Sequence, residues 1–270
     1  MRSFRAILLL ISLLFLAACQ VQSSIPSALS AQAYVEVVGE PMPHDPKAFT
    51  QGLLVQDTYF YESTGLVGQS TFRKVEMASG KVLSQTQLNP EYFGEGLALL
   101  EGRFYQLTWR NRIGMIYDAK TLEEIGSFPV DGEGWGLTTD GVSLIRSDGT
   151  ATLTWHEPLR FAPIKSLQVT LEGQPVTQLN ELEYIEGYIY ANIFLTDTIL
   201  RIDPANGQVL TVIDASPLRL ESTKADINSV LNGIAWDPTT KSLYLTGKNW
   251  PALYKVKIVD GPLPAATIQP

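Results

Sequence analysis

The sequence predicts an all-β fold, a five-bladed β-propeller, and two features of the chain carry that expectation. A short motif recurs five times: a polar or aromatic residue followed by a Gly-Leu-like pair at the head of an apolar run. The copies are Gln51-Gly52-Leu53, Glu95-Gly96-Leu97, Trp135-Gly136-Leu137, Asn180-Glu181-Leu182 and Asn232-Gly233-Ile234, spaced 44, 40, 45 and 52 residues apart. Units of about 40–50 residues built from short strands are the pattern of a propeller, where equivalent positions of every blade face one central channel. Each copy then has a second strand core, at Tyr61, Tyr105, Leu144, Tyr190 and Tyr244. Four residues after each core lie Gly65, Trp109, Asp148, Phe194 and Lys248, a second set of equivalent positions.

Turn signals separate the strand-like runs. Met77-Ala78-Ser79-Gly80, Asp118-Ala119-Lys120, Asp203-Pro204-Ala205-Asn206-Gly207 and Asp237-Pro238-Thr239-Thr240 all suit tight turns. Proline presets φ there and glycine accepts positive φ. The third copy is the least regular, because Leu144-Ile145-Arg146 carries no aromatic residue. The last copy is short after residues 253–258, so the strand-like run at 34–38 is expected to complete it and cover a sheet edge.

The beginning of the chain reads differently. Arg2 and Arg5 precede an apolar stretch at residues 6–15, which is too short to span a membrane and suits a secretory signal. Leu16-Ala17-Ala18-Cys19 resembles the bacterial lipoprotein box. The expected organisation is therefore a signal peptide at 1–18, a tether at 19–32 with a lipid anchor on Cys19, and a propeller domain at 33–270. This places the protein outside the cytoplasm, on the periplasmic side of the cell envelope, held to a membrane by lipid. Cys19 is the only cysteine, so no internal disulfide can form.

Composition narrows the function. A net charge of −8 disfavours nucleic acid as a partner. The chain has no glycine-rich phosphate loop and no Cys/His metal pattern. His44 and His156 are its only histidines, which argues against a His-based triad or a multi-His zinc site. Of the five positions preceding the Gly-Leu pairs, Glu95 alone is a carboxylate, and the others are Gln51, Trp135, Asn180 and Asn232. One axial carboxylate with amides and an aromatic is a poor cage for a divalent ion. No cofactor is expected, although a structural calcium stays open.

The same positions carry a family resemblance. The segments 43–53 (PHDPKAFTQGL), 92–96 (YFGEG), 106–109 (QLTW), 132–137 (GEGWGL), 179–184 (LNELEY), 231–235 (LNGIA) and 246–251 (TGKNWP) resemble, in order, the motifs of the glutamine cyclotransferases. The matches run from Pro43 to about Lys257, almost the whole domain. The resemblance implies a five-bladed propeller that converts the N-terminal glutamine of peptides to pyroglutamate with release of ammonia. It also implies an aminoacyltransferase acting on peptides or proteins with N-terminal Gln, expected as a monomer. Glu95 matches the family's catalytic glutamate. Lys248 is the cation that polarises the amide oxygen or tunes Glu95.

The chemistry explains why such residues are needed. The substrate's α-amine attacks its own side-chain amide, so one carboxyl between the two nitrogens can accept and return the proton. Charge developing on the amide oxygen needs a cation or amide donors. An apolar wall must hold the side chain curled. Trp109 and Trp135 are the expected walls, Phe49 and Phe93 the closure, and Gln51 and Asn180 the neutral donors and acceptors. Asn232 is ranked second, as a bridge between blades, and Trp155, Trp236 and Trp250 are read as packing. Phe194 stands where the family commonly places Trp, which keeps the apolar face and loses an N–H donor. Two other readings remain open from sequence: a calcium-dependent propeller hydrolase, and a non-catalytic envelope lipoprotein that docks partners on its propeller.

Overall fold

The computed structural model describes residues 30–220, 223 and 226–264. The signal-like segment, Cys19 and nearly all of the expected tether lie outside the described residues. What is described is almost entirely β. Strand β1 (Ala31–Val37) and the short β2 (Met42–Pro43) precede four-stranded antiparallel groups in which each strand pairs with the next. The first group is β3 (Thr50–Gln56), β4 (Tyr59–Thr64), β5 (Thr71–Glu76) and β6 (Val82–Gln87). The second is β7 (Gly94–Leu100), β8 (Arg103–Thr108), β9 (Ile113–Asp118) and β10 (Glu124–Pro129). The third is β11 (Leu137–Thr139), β12 (Leu144–Arg146), β13 (Thr152–His156) and β14 (Pro163–Gln168), followed by the small hairpin β15 (Thr170–Leu171) and β16 (Gln174–Pro175).

The remaining strands form one longer sheet. It contains β17 (Leu179–Ile185), β18 (Tyr188–Ile193), β19 (Thr198–Ile202) and β20 (Val209–Asp214), then β21 (Leu231–Asp237), β22 (Ser242–Gly247) and β23 (Ala252–Asp260). A 3-10 turn, η1 (Ser216–Leu218), lies between β20 and β21. As expected, β1 lies antiparallel on β23, with Ala33–Val37 opposite Asp260–Val256. Its other edge was not anticipated. Ala31–Tyr34 also run parallel to Thr211–Asp214 of β20, so one N-terminal strand covers two edges and fuses the last two groups. Covering an unpaired edge removes a template for aggregation. Ala33 and Val35 alternate with more exposed neighbours on β1 and sink into the core beside Ile213 and Val256.

The first strands of the groups touch in cyclic order, β3 to β7 to β11 to β17 to β21 and back to β3. Apolar clusters fill the spaces between neighbouring groups, as with Phe72, Phe104 and Tyr117 between the first and second.

The recurring motif has a structural cause. In β3, β7, β17 and β21 the register slips across the residues that carry it. A bulge of this kind re-aims a side chain out of the regular alternation. The glycines meet a second demand, because adjacent inner strands come very close. A Cβ on Gly52 would lie 2.5 Å from the Leu97 nitrogen, and one on Gly136 only 2.0 Å from the Asn180 oxygen. Gly96 donates its N–H to the Trp135 carbonyl at 2.6 Å across such a contact. The third group is the irregular one here also: β11 and β12 have three residues each, and Trp135 precedes the strand rather than lying in it.

Candidate active site

The bulged positions open into a cavity of about 310 Å³ at one end of the inner strands. It is lined by Phe49, Gln51, Phe93, Glu95, Trp109, Trp135, Asn180, Phe194 and Lys248, together with Leu66 and Asn228. All nine polar and aromatic positions singled out for substrate and chemistry are thus brought together. Repeated backbone bonds fix them in pairs. The amides of Gly65, Trp109, Phe194 and Lys248 donate to the carbonyls of Phe49, Phe93, Gln178 and Val230, each two residues before a bulge residue.

Glu95 sits at the buried base of the cavity, 4% exposed. Gln51 Nε2 donates to Glu95 Oε1 at 3.0 Å. The Gln51 amide is itself oriented by Asn232, whose Nδ2 donates to Gln51 Oε1 at 3.1 Å and to the Thr50 carbonyl at 2.9 Å. Asn232 does not line the cavity, and braces from behind. Burial pushes the Glu95 carboxyl well above the usual carboxylate range, opposed by Lys248 and reinforced by Glu133.

Lys248 is 3% exposed. Its ammonium lies over the rings of Phe49 at 4.8 Å and Phe194 at 4.9 Å. Ring faces attract a cation but solvate it less well than water. Burial therefore lowers the Lys248 pKa to about 8, with Glu95 acting in the other direction.

The walls are aromatic. Phe93 packs edge-on against Phe49 at 5.9 Å and Trp109 at 5.6 Å, and Trp135 meets Phe194 edge-on at 5.6 Å. Two glycines make room. A Cβ on Gly65 would lie 2.4 Å from the Phe93 ring, and one on Gly149 would lie 2.7 Å from the Trp135 indole. Asn180 is buried and makes no side-chain hydrogen bond among the described residues, which leaves its amide for a ligand.

Several residues escaped the sequence reading. Glu133 holds both indoles, accepting Trp109 Nε1–H at 2.8 Å and Trp135 Nε1–H at 3.0 Å on one oxygen. Its other oxygen takes Arg110 Nε–H at 2.7 Å. Asn228 lies in the excursion that makes the last motif interval the longest, which was its only sequence signal.

The count of axial carboxylates needs correction. Glu181, standing where the other four copies carry glycine, is buried, and so is Glu183. Glu181 accepts the amides of Leu53 at 3.4 Å and Ile234 at 2.9 Å, joining β17 to β3 and β21. Glu183 accepts the Trp236 amide at 2.9 Å, and burial raises its pKa to about 8. Reading only the position before each Gly-Leu pair hid both. Trp155 and Trp250 are buried in apolar clusters as expected. Trp236 packs partly on the core and also lines a second cleft, at the other end of the inner strands.

Comparison with known proteins decides the family. The model of the family described as glutamine cyclotransferase matches residues 9–258. The chain belongs to that family. It is 45% identical over 230 residues to a glutaminyl-peptide cyclotransferase of Arabidopsis thaliana, spanning 83% of this chain and 71% of the relative. Among solved structures, the Myxococcus xanthus glutaminyl cyclase superposes with a TM-score of 0.81 at 38% identity, covering 86% of this chain and all of that one. The family match takes in every residue that lines the cavity, so the resemblance of this cyclotransferase-family chain includes its candidate site.

Proposed function

We propose that this chain is a glutaminyl-peptide cyclotransferase, closing the N-terminal glutamine of peptides into pyroglutamate with release of ammonia, and that the Glu95–Lys248 cavity is where it does so. The observation that carries the site is the pairing of a buried carboxyl and a buried ammonium at the base of an aromatic cavity. Family membership and the curated relative support the activity.

In the reaction the α-nitrogen bonds to the side-chain carbonyl carbon, and the bond from that carbon to the amide nitrogen breaks. Glu95 accepts the proton that the α-nitrogen loses and passes it to the departing ammonia. Its raised pKa suits this work, since a group that must both take and give a proton is best poised near the operating pH. Lys248 offsets the negative charge that grows on the carbonyl oxygen, strengthened by the low dielectric of its phenyl sandwich. Asn180 holds a backbone group of the substrate. The indoles and phenyl rings exclude water and hold the glutamine side chain folded toward its own amine. Gln51 positions Glu95. Base, acid and cation all come from the protein, so the reading requires no cofactor.

The architecture that fits this reading is a five-bladed propeller. The cyclic contacts of β3, β7, β11, β17 and β21 support it, with β1 completing the last blade. The N-terminal residues support an exported protein lipidated on Cys19 and held at the envelope, with the catalytic domain acting as a monomer.

The test is direct. Purified protein is incubated with a Gln-initiated tripeptide, and ammonia release is measured alongside mass spectrometry. A loss of one ammonia per peptide is expected. An intact peptide would defeat the assignment.

A further inference from the structure

Backbone conformation at the cavity mouth differs between repeats in a way that points to substrate choice. In four copies the residue just after the second equivalent position has a left-handed φ: Leu66 at 83°, Gly149 at 79°, Leu195 at 66° and Asn249 at 60°. Glycine and asparagine adopt that region routinely, whereas a leucine there brings its Cβ against the following carbonyl. Blades 3 and 5 therefore use the expected residues. Blades 1 and 4 place a bulky apolar side chain at a strained position.

Those two leucines do not serve the core. Leu66 lines the cavity, and Leu195 follows the cavity residue Phe194 and is 51% exposed. Val67, beside Leu66, is 64% exposed, and Ile227, beside the cavity residue Asn228, is 73% exposed. Leu66 is thus part of the cavity lining, and Val67, Leu195 and Ile227 are exposed apolar chain neighbours of lining residues, the kind of surface that marks a contact site when it is contiguous. The covalent structure of the substrate says what emerges there. With the α-amine and the side-chain amide of glutamine both held at Glu95, the α-carbonyl is the one substituent left to leave through the mouth.

We propose that Leu66 and Leu195, flanked by Val67 and Ile227, form an apolar collar that receives the side chain of the residue after the N-terminal glutamine, so that peptides with a bulky apolar second residue are preferred. The proposal rests on the cyclotransferase reading of the cavity. The strain is retained because the collar needs side chains that glycine and asparagine lack.

The experiment compares kcat/KM for Gln-Leu-Ala, Gln-Phe-Ala, Gln-Ala-Ala and Gln-Glu-Ala in the wild-type protein, L66N, L195N and L195G. In the wild type the leucine and phenylalanine peptides should exceed the alanine peptide by about fivefold or more, the worth of partial burial of a few methylenes. In L66N and L195N that ratio should fall toward one, with a Tm equal to or above wild type because asparagine suits the left-handed backbone. L195G checks that the asparagine amide itself is not responsible. Equal use of all four peptides by the wild type, or a preference that persists in the folded variants, would overturn the collar while leaving the cyclase intact. No ammonia from any peptide would overturn both.

Discussion

Gln51 donates its side-chain N–H to Glu95 across the boundary between the first and second repeats, at 3.0 Å. Asn232 of the last repeat fixes which way the Gln51 amide faces, so three repeats converge on one carboxyl oxygen. A donor to a carboxylate favours its charged form. Replacing Gln51 by leucine should therefore raise the Glu95 pKa further and move the acid limb of kcat/KM to higher pH, with roughly a tenfold loss of turnover at neutral pH. The pH profile of cyclisation checks this. An unmoved acid limb would show that Gln51 does not govern Glu95.

Much of this site was legible in the sequence because the repeat and the chemistry fall on the same positions. The bulges at Gln51, Glu95 and Asn232 set a glycine next to a residue aimed at the axis, and that pairing is the Gly-Leu motif itself, with Glu181 in the glycine's place beside Asn180. What stayed hidden lies outside that rhythm. Glu133 acts through two indoles contributed by different repeats, a convergence that only the folded ring creates. Glu181 occupies a glycine position and reaches across the axis to Leu53 and Ile234, which no local pattern encodes. The parallel seam between β1 and β20 pairs residues about 180 positions apart in sequence, and strand pairing over that span leaves no periodic trace.

Glu133 should behave as a clamp on the aromatic walls. In E133A both indole N–H groups lose their acceptor, so substrate placement suffers and KM should rise about tenfold, more than kcat falls. A second consequence is electrostatic. The Glu133 charge contributes to raising Glu95, so its removal should shift the acid limb of activity to lower pH, opposite to the shift expected for Q51L. E133Q keeps an acceptor without the charge, and should retain most of the KM while still moving the limb. Steady-state kinetics across pH separates the two effects.

A buried charge cluster ties the first repeat to the last. Glu62 accepts Thr50 Oγ1–H at 2.6 Å and Arg73 Nε–H at 2.7 Å, and Arg73 also bonds Asp45 at 2.9 Å. His44 meets the Trp250 carbonyl through Nδ1 at 2.7 Å and Glu62 through Nε2 at 3.0 Å, so both ring nitrogens donate and the imidazolium is favoured. Burial opposes ionisation of Glu62, but Arg73 and His44 prevail and hold it at about 2. E62Q strands two buried cations and should cost about 3–5 kcal/mol of stability. Because the folded Glu62 pKa is depressed, its contribution is complete above the unfolded value and lost as pH falls toward 2. The raised His44 value has the opposite sign, giving stability that fades as pH climbs through it. Urea midpoints measured against pH should show both slopes in the wild type and neither of them at full size in E62Q.

The anchor is testable without reference to the fold. In cells that process lipoproteins, Cys19→Ser should shift the protein from the membrane pellet to a soluble or uncleaved form. A processed C19S chain that still pellets fully would remove the lipid from the account.

The pair at the base of the cavity gives the sharpest expectations. E95Q keeps the shape and removes the base, so turnover should fall by about two orders of magnitude or more with little change in KM. Wild-type activity should rise with pH as Glu95 ionises and fall again as Lys248 loses its proton near pH 8. Lys248 also sets a stability trend that runs against function. Its folded pKa lies below its ordinary value of 10.5, so the folded state binds fewer protons than the unfolded state between about 8 and 10.5, and stability rises with pH across that window. K248M removes the burial cost of the charge. It should melt above wild type at pH 7, with the difference narrowing as pH increases from 8 to 10.5, and should lose most of its turnover at every pH. Thermal melts and ammonia assays on the same samples decide it. A K248M protein that melts below wild type at pH 7, or that still cyclises glutamine at near wild-type rate, would show that Lys248 is neither the strained cation nor the counter-charge assigned to it.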